Sequence, residues 1–221
     1  MSKKISFWGK YWKDIVFPFI LLSIAIVFRV FAYTISQMLN RPVLKEDILL
    51  WESSLFTVNG GILGSFLQRN YSFSFISTWV YVFVILFACF VAILSWRKSI
   101  FTFRLYVYGL LTITFVVVLF NIFFPSVAPW FWNDVERLFS SWWRYNDFVA
   151  FPSLYVMLSF YTASWGEHIW GPWGLFLFLI PLFVIFAVLY GGENYLVDCI
   201  AGCALASLAF LITAGPSWEK K

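Results

Sequence analysis

Charged residues are scarce in this chain of 221 residues, since Asp, Glu, Lys and Arg together make up only 12% of it. Soluble globular domains carry about 25% charged residues and roughly 45–50% apolar ones. Here 62% of the residues are hydrophobic, so too little polar surface is available to cover a fold in water. This shortage excludes a soluble enzyme, a disordered protein and a disulfide-rich secreted domain.

Histidine and cysteine are almost absent, with one histidine and three cysteines in the whole chain. The cysteines, Cys89, Cys199 and Cys203, lie inside apolar runs, where free cysteine behaves as a small buried hydrophobe. No Cys-x-x-Cys pair and no zinc-ligand spacing is present. We therefore predict no metal site and no cofactor. The net charge of +4 is spread over an apolar chain, so we expect membrane lipids and not nucleic acid as partners.

Long apolar runs are what the sequence has in abundance. A membrane span needs about 20 mostly apolar residues, and six segments approach that length: 15–37, 76–96, 101–124, 149–164, 175–190 and 195–214. Because backbone polar groups find no water partners in lipid, each span should be helical. The fold class predicted is an all-α membrane protein, a six-transmembrane helical bundle forming a single domain over residues 1–221.

The distribution of basic residues predicts the orientation of this bundle. With six spans, residues 1–14, 96–100, 165–174 and the tail share one side and carry eight Lys or Arg. The external loops, 38–75 and 125–148, together with 191–194, carry five Lys or Arg and seven Asp or Glu. Basic residues favour the cytoplasmic side, so both termini should be cytoplasmic. We expect a multi-pass protein of the cell membrane.

Tryptophans mark the expected membrane boundaries, because indole rings prefer the headgroup layer. The inner set is Trp8, Trp12, Trp96, Trp165, Trp170, Trp173 and Trp218, and the outer set is Trp51, Trp130, Trp132, Trp142 and Trp143. Residues 42–70 of the first external loop combine apolar spacing with charge, a pattern typical of an interfacial helix. The Asn59-Gly60-Gly61 break would divide that helix into two pieces.

Polar residues collect in three segments at the outer ends of the spans. FPSVAPW closes the third span at 124–130, FPSLY opens the fourth at 151–155, and GGENYLVDCIAG precedes and opens the sixth at 191–202. Polar groups in lipid are costly, and they mark a functional site by default.

With these three segments the chain resembles the type 2 phosphatidic acid phosphatase superfamily, and it is most similar to the branch that contains inositol phosphorylceramide synthases. That branch reads roughly FPxxAP, then FPSLH, then GxHYxxDxxAG, in the same order and with similar spacing. The resemblance implies an active site at the outer membrane boundary that acts on lipid phosphates. It further implies that the histidine of the third motif attacks phosphorus and that the aspartate of the same motif orients this imidazole. The histidine of the second motif would protonate the leaving oxygen, and basic residues would hold the phosphate.

Both histidines implied by the resemblance are replaced in this chain. Tyr155 stands at the second-motif histidine, and Asn194 stands at the nucleophile. Val188 and Trp130 occupy positions where the family carries basic residues. An amide nitrogen is not nucleophilic, and without cations the charge that develops on phosphorus is poorly stabilised. We therefore predict a pseudoenzyme, whose vestigial catalytic positions are Ser153, Tyr155, Asn194 and Asp198.

Asp198 needs a separate explanation, because a carboxylate within a span is expensive unless it is paired or neutral. Arg29 and Asp198 each lie about eight residues inside an outer boundary, or roughly 12 Å at 1.5 Å per residue. One hypothesis is a buried ion pair between them. The alternative is that Arg29 extends toward the boundary while Asp198 is protonated.

Four residues are candidates for binding a lipid or its headgroup: Arg137, Arg144, Tyr155 and Tyr195. The two arginines are suited to an anionic headgroup, although Asp134, Glu136 and Asp147 around them are equally consistent with a self-neutralised loop. The tyrosines are suited to a lipid pocket or, alternatively, to ordinary aromatic packing.

Three functions remain open from the sequence. The first is a catalytically degenerate phosphatase-like protein that serves as a lipid-binding or structural subunit of a membrane complex, with other membrane subunits as partners. The second is an active lipid phosphatase or phosphotransferase with chemistry rebuilt on Ser153, Tyr155 and Asp198. The third is an unrelated six-helix carrier or scaffold. We predict the first.

Overall fold

The computed structural model describes residues 20, 21, 24, 27, 31, 32, 34–41, 71–126, 151–190 and 194–218. Over these ranges the chain is helical and contains no strand. The elements are α1 (Tyr71–Lys98), α2 (Ile100–Phe123), α3 (Leu154–Trp170), a 3₁₀-helix (Gly171–Phe178), α4 (Leu179–Tyr190) and α5 (Leu196–Trp218). Residues 34–38 are also helical, at the end of the first predicted span, whereas the predicted interfacial helix of 42–70 lies outside the described residues.

The all-α membrane class is confirmed for the described residues. Four helical stretches are long and apolar enough to cross a bilayer: Trp79–Lys98, Ile100–Phe123, Leu154–Leu189 and Leu196–Gly215. The six crossings and the cytoplasmic placement of both termini stay predictions, because residues 1–19 and 219–221 lie outside the described ranges. The protein is an integral membrane protein.

The stretch Leu154–Leu189 is a hairpin and not one long rod. Gly171 ends α3 with φ at 67°, a conformation that side-chain-bearing residues rarely adopt, and Pro172 follows it. The chain then packs back on α3, since the rings of Phe160 and Phe178 lie 5.2 Å apart. The predicted inner loop 165–174 is wrong, because helical backbone extends through it. The two arms of this hairpin, before and after Gly171, correspond to the predicted fourth and fifth segments.

Helix α3 lies at the centre of the bundle. Its residues 161–166 are all buried, so no face of this stretch is open to lipid. One apolar cluster joins it to α1, α2 and α5 through side chains such as Val91, Ile113 and Ala206. A second cluster joins it to α1 and α4 through Val84 and Val188. Helices α1, α2, α4 and α5 and the 3₁₀-helix therefore all pack on α3.

Two tyrosines connect four helices inside the bundle. Tyr161 Oη donates to the Tyr106 carbonyl at 3.1 Å and shares a hydrogen bond with Thr213 Oγ1 at 3.1 Å. Tyr106 Oη donates to the Ala88 carbonyl at 3.0 Å and shares a hydrogen bond with Thr162 Oγ1 at 3.2 Å. Hydrophobic burial does not drive association between helices in lipid, so such polar contacts and close packing hold them together.

Trp165 is a correction to the boundary assignment of the tryptophans. Instead of lying in the headgroup layer, it is fully buried and packs its ring against Tyr106, Tyr161 and Phe210. The prediction was wrong because α3 continues beyond Trp165 to Trp170, which places the indole within the bundle.

The helix termini define two ends of the bundle. At the first, which we call the site end, α2 finishes and α3 and α5 begin. At the other, which we call the turn end, Ser99 joins α1 to α2 and Gly171 joins α3 to the 3₁₀-helix. Lys98 Nζ donates to the His168 carbonyl at 3.4 Å and so ties the two turns together.

Replacement of Gly109 by alanine should destabilise the bundle. A Cβ at Gly109 would overlap the phenol of Tyr161, whose hydroxyl is held by hydrogen bonds to α2 and α5. We expect a loss of about 1–3 kcal/mol, typical of overpacking, measured as a lower unfolding temperature in detergent. Gly215→Ala is the matched control, because nothing lies within 4 Å of its added Cβ. Equal stability of both variants would contradict the described packing of α2 on α3.

Candidate functional site

The three polar segments singled out in the sequence meet at the site end. Ser126 follows α2, Ser153 immediately precedes α3, and Asn194 with Asp198 surrounds the start of α5. Hydrogen bonds join the first segment to the second and the second to the third. The convergence predicted from motif order is therefore present, although the segments are far apart along the chain.

The first link runs between the end of α2 and the start of α3. The backbone N–H of Phe151 donates to Ser126 Oγ at 2.6 Å, and Ser126 is fully buried. The rings of Phe120 and Phe151 also meet, edge to face, at 5.8 Å. Ser126 thus satisfies a backbone donor that precedes α3, and it fixes the approach of this segment to the bundle.

Asp198 lies in the first turn of α5, as the third residue of that helix. Its Oδ2 accepts from the backbone N–H of Tyr195 at 2.7 Å, the return contact of a capping box. The predicted depth of roughly 12 Å for Asp198 assumes a helical rise through the residues before it. Residues 194 and 195 are not helical, so the carboxylate lies at the helix start, and its depth in the membrane stays a prediction.

A buried chain of side-chain hydrogen bonds crosses the site. Ser153 Oγ donates to Asn194 Oδ1 at 3.0 Å, and Asn194 Nδ2 donates to Asp198 Oδ2 at 3.4 Å. The three residues are 1%, 8% and 0% exposed, in that order. Ser153 is the N-cap residue of α3, but its hydroxyl makes no capping bond to its own helix. The hydroxyl instead connects α3 to the Asn194 amide.

The backbones of α3 and α5 are also in direct contact at this point. The N–H of Ser153 donates to the Asp198 carbonyl at 3.2 Å. A Cβ on Gly202 would lie 3.0 Å from the Ser153 carbonyl oxygen, so a larger residue would push the helices apart. Gly202 and Ala206 are buried on this face and allow close packing of the helices, whereas Ala204 is exposed.

Two helix N-termini surround the Asp198 carboxylate. Both α3 and α5 begin here, and helix N-termini carry partial positive charge. A field of this sign is the environment in which anions bind to helix starts. Arg29 lies outside the described residues, so its predicted ion pair with Asp198 stays a prediction.

The structure describes two of the four predicted lipid-binding residues, Tyr155 and Tyr195. Tyr155 is half-buried and packs on Tyr81 of α1, with ring centroids 4.3 Å apart. Tyr195 is only 3% exposed. Arg137 and Arg144 lie outside the described residues, so their role in binding a headgroup stays a prediction.

His168, the one histidine of the chain, lies far from the site. It follows Ser153 by fifteen positions on α3, which is about 22 Å at 1.5 Å per residue. Its ring packs on Trp165 at 5.5 Å and on Phe210 at 6.2 Å. Across the described ranges, no group of three His, Cys, Asp or Glu side chains is arranged to hold a metal ion.

Two features of the site were missed by sequence reasoning. Asn194 was interpreted only as a lost nucleophile, yet it connects Ser153 to Asp198. Asn121 was not singled out, yet it is fully buried near the end of α2, and neither amide atom bonds to a described residue. The signal for Asn121 was visible as a lone amide between apolar residues of the third span.

In the buried chain of hydrogen bonds, the middle residue, Asn194, cannot transfer a proton from Ser153 to Asp198. A serine hydroxyl becomes nucleophilic when an adjacent base removes its proton. Here the group beside Ser153 is the Asn194 carbonyl oxygen, which accepts the hydrogen bond but is not a base at neutral pH. The arrangement can hold α3 and α5 in register, and it leaves the serine unactivated.

Comparison with known proteins identifies the family. A family model described as the PAP2 superfamily matches residues 46–212, most of the chain and all three polar segments. The chain therefore belongs to the PAP2 superfamily, and the interpretation as an unrelated carrier or scaffold is excluded. Searches of curated proteins and of solved structures gave no match.

The link between Ser153 and Asn194 should be measurable as a coupling in stability. We expect Ser153→Ala and Asn194→Ala each to lower the free energy of unfolding, because each leaves a buried polar partner unsatisfied. The double variant should lose less than the sum of the two, by about 1 kcal/mol. Denaturant or thermal unfolding in detergent gives these values.

The matched control for this cycle is Ser207→Ala combined with Asn194→Ala. Ser207 Oγ bonds only within its own helix, to the Cys203 carbonyl at 2.9 Å. Its effect should simply add to that of Asn194→Ala. Strict additivity for the Ser153 pair as well would mean that the hydrogen bond contributes nothing to the bundle.

Proposed function

We propose that this member of the PAP2 superfamily is catalytically inactive and serves as a lipid-binding or structural subunit of a membrane complex. The observation that carries the proposal is the position of Asn194, whose amide lies between Ser153 and Asp198 and bonds to both. By its place in the third motif, this is the position from which the family attacks phosphorus.

The asparagine keeps the hydrogen bonds that a neutral imidazole would make, but not its reactivity. A neutral imidazole has one N–H donor and one acceptor nitrogen, and an amide likewise offers N–H donors and an acceptor oxygen. Asn194 uses one of each, toward Asp198 and Ser153. The lone pair of an amide nitrogen is delocalised, so no phosphoryl-enzyme intermediate can form on it.

The remaining parts of a phosphoryl-transfer site are also altered. Tyr155 stands where the family resemblance places the acid for the leaving group, and its ring is packed against Tyr81. Val188 stands at a basic position of the family pattern and is fully buried among apolar side chains. Stabilisation of charge on the phosphoryl group is usually the largest catalytic contribution, and these substitutions weaken it.

The structural half of the proposal rests on the hydrogen bonds of Ser126 and of three vestigial catalytic positions, Ser153, Asn194 and Asp198. These residues connect the ends of α2, α3 and α5. This structural role does not require chemistry at the site. A lipid ligand is supported by membership in the PAP2 superfamily, because the resemblance described above implies action on lipid phosphates.

A second candidate is an active lipid phosphatase or phosphotransferase with rebuilt chemistry. It is favoured by one observation, the presence of the Ser153 hydroxyl and the Asp198 carboxylate in a single buried chain. Tyr155 would then supply the acid. This candidate requires the Asn194 amide to move aside, because it separates the hydroxyl from the carboxylate.

Phosphate release from lipid phosphates separates the two candidates. The purified protein in vesicles containing phosphatidic acid, or separately an isoprenoid phosphate, should release no more phosphate than Asp198→Ala. An active phosphatase of the same superfamily in identical vesicles is the positive control. Release that disappears in Asp198→Ala or Tyr155→Phe would establish the rebuilt enzyme instead.

Native mass spectrometry of the protein extracted from its own membrane tests the role as a subunit. We expect a protein partner at fixed stoichiometry, or a tightly retained lipid, together with an inactive site. A bare monomer, free of both lipid and partner after gentle extraction, would contradict the proposed role even if the site is inactive.

A further inference from the structure

One face of α1 carries a straight apolar stripe that ends in a positive charge. Leu86, Phe90, Ile93 and Arg97 follow one another at intervals of four, three and four residues, which places them on the same side of the helix. The three apolar side chains are 61%, 46% and 59% exposed, and Arg97 is exposed as well. The stripe runs along the bundle surface toward the turn end.

An indole from α3 borders this stripe. Trp170 meets the ring of Phe90 edge to face, with centroids 5.8 Å apart, and is itself 41% exposed. Val91, the neighbour of Phe90, is fully buried against α3. The two helices thus form a shallow surface, with α1 at its base and the Trp170 ring along one side.

The charged end of the stripe is held in place by a contact with α3. Lys98 is adjacent to Arg97 and is exposed, and its ammonium donates to the His168 carbonyl near the end of α3. Arg97 and Lys98 therefore place two adjacent cations at the turn end, in the same region as the Trp170 ring. Guanidinium groups bind phosphate with paired hydrogen bonds, and an ammonium adds a point charge.

The length of the stripe matches one lipid leaflet. From Leu86 to Arg97 the helix rises about 16 Å at 1.5 Å per residue. A leaflet is half of a hydrocarbon core that is about 30 Å thick. An acyl chain that lies along Ile93, Phe90 and Leu86 therefore brings its own phosphate to the level of Arg97.

We propose that this surface is a binding site for one anionic phospholipid. The phosphate contacts Arg97 and Lys98, and one acyl chain lies along Ile93, Phe90 and Leu86 with the Trp170 ring at its flank. The site is at the turn end, opposite the buried Ser153–Asn194–Asp198 chain, and it does not depend on the function proposed above. Two cations select a lipid of net negative charge over a zwitterionic one, because they attract it electrostatically.

Titration in detergent with phosphatidylglycerol, and in parallel with phosphatidylcholine, tests the site. Native mass spectrometry should show one phosphatidylglycerol retained per protein, with phosphatidylcholine retained far less. Arg97→Gln combined with Lys98→Gln should weaken phosphatidylglycerol retention by roughly tenfold or more, since each basic residue near an anionic lipid contributes about 1 kcal/mol. Trp170→Leu should weaken it without changing the net charge.

Lys220→Gln combined with Lys221→Gln is the matched control, because it also removes two positive charges from the chain. Retention should stay at the level of the unmodified protein. An equal loss of phosphatidylglycerol retention in this control would overturn the proposed site, because general attraction by net charge would then explain the binding. Competition by inorganic phosphate at millimolar concentration would likewise overturn it, because the site would then bind an anion and not a lipid.

The single variant Arg97→Gln distinguishes lost lipid binding from misfolding, because it leaves the contact between Lys98 and His168 in place. Its unfolding temperature without added lipid should equal that of the unmodified protein, and phosphatidylglycerol should raise it less. An undiminished lipid-induced rise in both Arg97→Gln and Trp170→Leu would exclude this surface as the site.

Discussion

The structure at the site end depends on one buried carboxylate. Asp198 accepts the Tyr195 N–H and the Asn194 amide, while its own carbonyl accepts the Ser153 N–H. These contacts start α5, hold the residue before it and fix the first residue of α3. A charge this deeply buried is tolerated only when hydrogen bonds surround it. The relative positions of the second and third motifs are therefore tied to Asp198.

Under the function proposed above, this dependence lets the site keep its shape without its chemistry. The carboxylate needs a donor beside it, and the amide of Asn194 provides one. The serine hydroxyl needs an acceptor, and the same amide provides that too. Geometry and reactivity are thus separable at this position. A group with the correct hydrogen-bonding pattern preserves the bundle even when it has no nucleophilic atom.

The sequence was sufficient for the helical class, for most helix positions and for the convergence of the three motifs, because long apolar runs and their polar interruptions are local signals. It was insufficient where tertiary packing decided the outcome. Trp165 was assigned to the headgroup layer by its residue type, but the central position of α3 buries it. The bridging role of Asn194 depends on Ser153, forty-one positions earlier in the chain.

The two reversals at the turn end have a consequence for how this protein can be handled. A single residue, Ser99, separates α1 from α2, and the 3₁₀-helix follows α3 without a loop. Lys98 joins these reversals through the His168 carbonyl. Within the described residues, neither reversal offers a flexible segment to which an epitope tag, a protease site or a fluorescent reporter can be added without separating packed helices. Reporters of orientation at this face therefore have to be single-residue labels.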